Sequence, residues 1–176
     1  LVGLVQATEV LKMIAGFVNA NSGVISLDNK VLVDDKTTVP IEEREIGFVF
    51  QNYALFPHLT VEQNLFYGKT SKSKSAVLEL ATWLGVSEQL KKYPHQLSGG
   101  QQQRVAMART LAIDPKLLCL DEPLSNIDEG LKKIVRSELQ NLIKKQEITT
   151  IIVSHDIKDA VALADKIAVL KDGKLQ

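Results

Sequence analysis

The sequence predicts an α/β fold: a mostly parallel sheet flanked by helices, with a helical subdomain inserted. Three observations predict it. Short, near-continuous apolar runs recur along the chain and alternate in its second half with helical periodicity, the pattern of strands covered on both faces by crossover helices. Between Gln51 and Leu97 these runs give way to helix signals. Three of the runs also lead into polar side chains, as strands do where ligands sit beyond the carboxyl ends of a parallel sheet.

In chain order the β-type runs are GVISL from Gly23, EIGFVF ending at Phe50, KLLCL ending at Leu120, TTIIVS ending at Ser154, and KIAVL before the Asp172-Gly173 turn. In the helical stretch Thr60 and Gln63 form a capping box, and Leu78, Ala81, Trp83 and Leu84 supply apolar contacts. KTSKSKS, Lys69 to Ser75, reads as a solvated linker between two helices. From Gly130 to Gln146, Leu131, Ile134, Val135, Leu139, Leu142 and Ile143 recur at helical spacing, which makes one amphipathic helix over a sheet face. The expected division is residues 1–51 and 98–176 for the core and 52–97 for the helical subdomain.

At 176 residues and 45% hydrophobic, the chain can bury one ordinary core. Lys plus Arg equals Asp plus Glu at 21 each, so no overall field attracts nucleic acid or anionic lipid, and a phosphate ligand must be held locally. Cys119, within LLCLDE, reads as a reduced, buried thiol. No apolar stretch reaches the roughly 18–20 residues needed to span a bilayer. The chain begins inside an apolar segment and ends just after a turn, as a piece of something larger would.

The polar residues at the strand ends are Gln51, Asp121-Glu122 and His155. Singly each has a bland reading: a loop start, a strand stopped by Pro123, a satisfied loop histidine. Gathered on one sheet edge they suit phosphoryl transfer to water, which needs a metal on the phosphate oxygens, a group orienting the water, and stabilisation of charge on the γ-phosphate. Asp121 would hold Mg²⁺ through its water shell, Glu122 would face the nucleophile, and His155 would reach the phosphate. LSGGQQQR, Leu97 to Arg104, contains a capping box from Ser98 to Gln101. The box leaves two glycines unexplained, each costing roughly 1 kcal/mol against Ala in a helix. Gly99 and Gly100 bare backbone N–H groups at the positive end of the helix dipole, which suits an anion.

LSGGQQQR, LLCLDEP, SNID and a strand ending SHD together resemble the ATP-binding cassette ATPases, whose fold is of the P-loop NTPase type. QNYALFPHLTVEQN, Gln51 to Asn64, is similar to the Q-loop region of the subfamily that powers importers of the sugar, polyamine, sulfate and ferric-ion class. The resemblance implies ATP and Mg²⁺ as cofactors, with Gln51 at the metal and water, Asp121 at the metal, Glu122 as general base and His155 as switch histidine. It implies that Ser98, Gly99, Gly100 and Gln101, with Asp128 of the D-loop, contact nucleotide bound by an opposing subunit. A homodimer or a paired cassette subunit follows, docked through the 52–97 arm on transmembrane permease subunits, cytoplasmic and peripheral on the inner face of the membrane. Family members of DNA-repair type carry a long coiled coil in place of the short insert, and heptads are absent here, so no nucleic acid is expected.

The opening stretch LVGLVQATEVLKMIAG departs from that pattern. The family places a GxxxxGK[ST] phosphate loop before the helix that enters MIAG. Alignment on KMIAG puts Ala7 at the lysine, Thr8 at the Mg²⁺-binding hydroxyl, and Leu4, Val5 and Gln6 where glycines belong. Matching Leu1 to Gly3 to the strand before the loop is an alternative that restores no lysine. The expectation is weak ATP binding and little or no hydrolysis, either because the cassette is a catalytically silent partner or because the first dozen residues do not represent the natural protein.

Overall fold

The structure is a computed structural model that describes residues 2–68, 71–125, 127, 129–171 and 174–176, and the side chains of all of these but 2–6 and 131. In chain order come helix α1 (Val2–Ala15), a hairpin of β1 (Ile25–Leu27) and β2 (Lys30–Val33), and strand β3 (Ile46–Val49). Helices α2 (Val61–Leu65), α3 (Lys74–Trp83) and α4 (Gly99–Leu111) follow. The second half alternates β4 (Leu117–Asp121), α5 (Glu129–Gln146), β5 (Thr149–Val153) and α6 (Ile157–Leu163), then closes with the short pair β6 (Leu170–Lys171) and β7 (Lys174–Leu175).

Strands β3, β4 and β5 form a parallel sheet with β4 in the middle, Phe48 beside Cys119 and Cys119 beside Ile151. All five residues of β4 are buried, as the continuous apolar run requires. Alternate side chains of β4 go to opposite faces. Leu118 and Leu120 join the core made with Val105, Met107 and Ala108 of α4 and with Val61, Leu65 and Val77 of the helical stretch. Leu117 and Cys119 pack with Leu11 of α1 and Val153 of β5. Cys119 is fully buried, and burial pushes its thiol up to about 12, so it is the inert thiol expected.

Helix α4 lies close against β3 because Gly47 leaves room. A methyl group there would meet Thr110 Cγ2 at 2.6 Å and Pro115 Cγ at 3.0 Å. Helix α1 ends in a Schellman turn, with the Phe17 N–H on the Lys12 carbonyl at 2.9 Å and Gly16 at φ 95°. Arg44, 3% exposed, bonds two carbonyls of the last turn, Nη1 donating to Met13 O and Ile14 O, each at 2.9 Å, while its Nε donates to Val39 O at 2.9 Å. Both expected capping boxes are formed, Thr60 with Gln63 and Ser98 with Gln101. In α5, Val135, Leu139 and Leu142 are buried as expected, whereas Ile134 is exposed.

Three details differ from the sequence reading. GVISL pairs antiparallel with β2 in a separate ribbon, because Asp28 and Asn29 both take positive φ and turn the chain straight back. Of KIAVL only Leu170 is in a strand, paired antiparallel with Leu175 rather than with the parallel sheet, and Ile167 and Val169 stay exposed. The expected linker already contains the start of α3, where the Ser73 hydroxyl accepts from Ala76 N–H as N-cap.

Candidate functional site at the strand ends

The parallel register delivers the carboxyl ends of β3, β4 and β5 to one edge, and the chain just beyond each carries Gln51, Asp121-Glu122 and His155. Asp121, the last residue of β4, is buried and accepts a hydrogen bond from Thr8 Oγ1 at 2.8 Å. Thr8 reaches it because Leu11, one turn further along α1, packs against Leu117 and Cys119 and so lays the helix along the sheet.

Glu122 leaves the strand at φ 50°, a left-handed conformation uncommon outside glycine and costing of order 1–3 kcal/mol. Its N–H still extends the ladder to Val153 O at 2.9 Å, so the turn begins at the carboxyl-bearing residue itself. The side chain is buried: Oε2 lies 2.7 Å from His155 Nδ1, while Oε1 has no hydrogen bond. The imidazole that holds Oε2 is largely exposed, whereas Oε1 is enclosed by the chain. Ser125 Oγ donates to Glu122 O at 2.9 Å and accepts from Gln51 Nε2 at 3.3 Å, joining all three strand ends.

The signature residues stand apart from this group. Ser98 and Gln101 bond each other in the capping box that starts α4, with Ser98 N–H on Gln101 Oε1 at 3.0 Å. Ser98 and Gly99 are exposed. A methyl group at Gly100 would sit 4.0 Å from Ile127 Cδ1, an ordinary contact, so packing inside the chain does not require a glycine there. Asp128 lies outside the described residues.

Whether the edge fits its expected cofactors divides in two. For Mg²⁺ the donor set fits: no three His, Cys, Asp or Glu side chains cluster as a metal site among the described residues, but a hydroxyl, one carboxylate and an amide are what a water-rich Mg²⁺ uses. For the polyphosphate the fit fails. Helix α1 is continuous from Val2, so Val2 and Gly3 do not form a strand and the stretch from Leu4 to Ala7 does not form a loop. In a helix the N–H groups of Gln6, Ala7 and Thr8 are committed to the carbonyls of Val2, Gly3 and Leu4, and cannot wrap an anion. Lys12, one turn past Thr8, is occupied with Glu9 at 3.2 Å.

Sequence reasoning missed two positioning residues. Ser125 belongs to SNID, in which only the aspartate carries a role by the motif. Asn64 is fully buried and ties down the loop after Gln51: its Oδ1 accepts from Phe56 N–H at 2.9 Å, and its Nδ2 donates to Phe56 O, Leu59 O and Thr60 O. A polar residue on the apolar face of α2 is the signal that could have found it.

The chain is similar to several known proteins. The chain is 44% identical over 175 residues to the spermidine/putrescine import ATP-binding protein PotA of Vibrio cholerae, covering 96% of this chain and 45% of that protein. It is 44% identical over 172 residues to the Fe(3+) ions import ATP-binding protein FbpC of Pseudomonas fluorescens, covering 96% and 49%. A probable sulfate/thiosulfate import ATP-binding protein CysA of Chlorella vulgaris is 44% identical over 174 residues, covering 96% and 72%. The chain spans about half the length of the first two. Among solved structures, a dimeric bacterial ABC transporter cassette superposes with a TM-score of 0.76 at 31% identity, covering 96% of this chain and 78% of that one. Residues 7–125 match the ABC transporter family directly. With that match, the parallel three-stranded sheet and the close superposition on a solved cassette, the chain belongs to the ABC transporter family.

Proposed function

We propose that this chain is a cassette subunit of an ABC importer that works in a pair on membrane permease subunits, supplying its signature helix to nucleotide held by the partner cassette while its own nucleotide site is silent. The observation that carries the reading is the combination of an exposed, capped α4 start, with a glycine at position 100 that internal packing does not explain, and an α1 helix lying where a phosphate loop would have to be. The import roles printed for the PotA, FbpC and CysA relatives support the importer class without selecting a solute.

In this reading Thr8 and Asp121, with Gln51 on the same sheet edge, would hold Mg²⁺, which would supply charge neutralisation on phosphate oxygens. Glu122 is the carboxylate that would take a proton from water, and His155 fixes it through Oε2. With the N–H groups of Gln6, Ala7 and Thr8 bonded within α1 and an alanine at the lysine position, Glu122 and His155 do not turn over nucleotide in this chain. Residues 52–97 form the arm facing the permease: Asn64 holds Phe56, which packs on Tyr67 with ring centroids 4.0 Å apart and under Arg109 at 5.3 Å. Among the described residues no helix is long and apolar enough to cross a membrane, and an attachment through such an arm on the inner face needs none.

A complementation experiment tests the reading. A variant with Leu4→Gly, Gln6→Gly and Ala7→Lys restores the loop, and Ser98→Arg in the same chain removes its signature. Alone it should bind Mg-ATP without hydrolysing it, and hydrolysis should appear when the unaltered chain is added. Silence of the mixture, with the variant shown to bind Mg-ATP, would overturn the reading.

A further inference from the structure

Helix α6 reverses the usual arrangement of a surface helix, which buries its apolar stripe and gives its charged face to water. Its large apolar residues Ile157 and Val161 are 75% and 66% exposed, while its one buried residue is Asp159, 5% exposed. Leu163, at its far end, is only partly buried against the core. What holds α6 in place is a polar stripe on α5. Arg136 Nε donates to Asp159 Oδ1 at 2.8 Å, and Arg136 Nη2 donates to the same oxygen. One turn further along, Gln140 Nε2 donates to Ala162 O at 2.6 Å. One turn before, Lys132 Nζ lies 4.0 Å from Asp156 Oδ2. The Arg136–Asp159 pair is the part that cannot be given up lightly, because a buried carboxylate without its cation is strongly unfavourable.

Helix α6 begins at Ile157, directly beyond His155 and the N-cap Asp156. The His155 side chain is 59% exposed, yet its Nδ1 stands 2.7 Å from Glu122 Oε2. With most of the ring in water, its place is set by the backbone on either side, β5 before it and α6 after it. We propose that Arg136 is a positioning residue for His155: its ion pair with Asp159 fixes the first turn of α6 and so keeps the imidazole against Glu122. Arg136 acts through Asp159 and the α6 backbone, not on the Glu122 carboxylate. The inference goes beyond the proposed function, since it concerns the chain without nucleotide and holds whether or not the site turns over.

Long-range nitrogen–proton correlation spectra of the chain alone, taken at about pH 8 and so above the ordinary imidazole range, read which ring nitrogen carries a proton. A neutral imidazole in water favours the proton on Nε2, whereas a carboxylate against Nδ1 holds it there. His58 and His95, the two other histidines, are both exposed and serve as the reference for an ordinary ring. His155 in the unaltered chain should be protonated at Nδ1. Arg136→Met should lose most of that population and give a His155 signal like the reference rings, and Arg136→Lys, which keeps the charge, should recover part of it. Circular dichroism checks that each variant is folded. If Arg136→Met does not fold, Asp159→Ala, which leaves the Arg136 head group able to reach water, decides in its place. A purely structural role for the pair would lower the urea midpoint and leave the His155 signal where it was. That result in a folded variant, no recovery with lysine, or an unaltered chain whose His155 resembles the reference rings would overturn the proposal.

Discussion

Thr8 and Asp121, 113 positions apart in the chain, are joined by a hydroxyl-to-carboxylate hydrogen bond of 2.8 Å. The bond ties α1 to the end of the central strand and satisfies a carboxylate that is only 7% exposed.

Thr8→Val keeps the shape and removes the donor, leaving Asp121 short of a partner. The expected cost is about 1–3 kcal/mol in urea unfolding, and Thr8→Ser, which keeps the hydroxyl, should cost clearly less. Equal losses in the two variants would mean that the methyl group, not the hydrogen bond, matters.

Arg44 is the cap of α1, and Arg44→Met retains bulk while abandoning three carbonyls. A loss of about 3 kcal/mol is expected in the same measurement. Arg44→Lys should recover only part of it, because an ammonium cannot reproduce the planar fork. Gly16→Ala should also destabilise, since φ is 95° there and the new methyl group would stand 2.8 Å from Arg44 Nε.

The legibility of the chain follows the range of the forces involved. Capping boxes at Thr60 and Ser98 are local and were readable from three-residue spacings. The parallel β3-β4-β5 sheet was readable because its central strand β4, buried on both faces, is apolar up to Leu120, and the polar residues at the strand ends marked the edge. KIAVL misled because an apolar run states only that a strand is possible, and which partner accepts it is decided at long range. The bridge from Gln51 through Ser125 to Glu122 depends on a left-handed turn at Glu122 that no propensity announces. At the opening stretch the missing glycines and lysine were legible, but that the segment would be helix back to Val2 was not, since its only cue is the removal of residues that break helices.

Cys119 gives a pH signature. Burial raises its thiol from the ordinary 9.0 to about 12 in the folded chain, so between those values the native state holds a proton that the unfolded state releases. The corresponding stability is fully present below pH 9 and declines as pH rises from there toward 12. Unfolding curves of the chain and of Cys119→Ala, compared across that interval, should differ in slope, with the steeper decline in the unaltered chain. Parallel curves would remove the assignment. Below pH 9 the native thiol should also react with a chromogenic disulfide only at the rate of unfolding.

The most direct test of the account is a calorimetric titration of Mg-ATP into the unaltered chain, set beside the variant carrying Leu4→Gly, Gln6→Gly and Ala7→Lys. The account predicts no saturable heat from the unaltered chain through the millimolar range and saturable binding once the loop is restored. Micromolar binding by the unaltered chain would contradict it, for a helix from Val2 to Ala15 would then be holding a polyphosphate with the N–H groups of Gln6, Ala7 and Thr8 bonded within the helix and an alanine where the loop's lysine belongs.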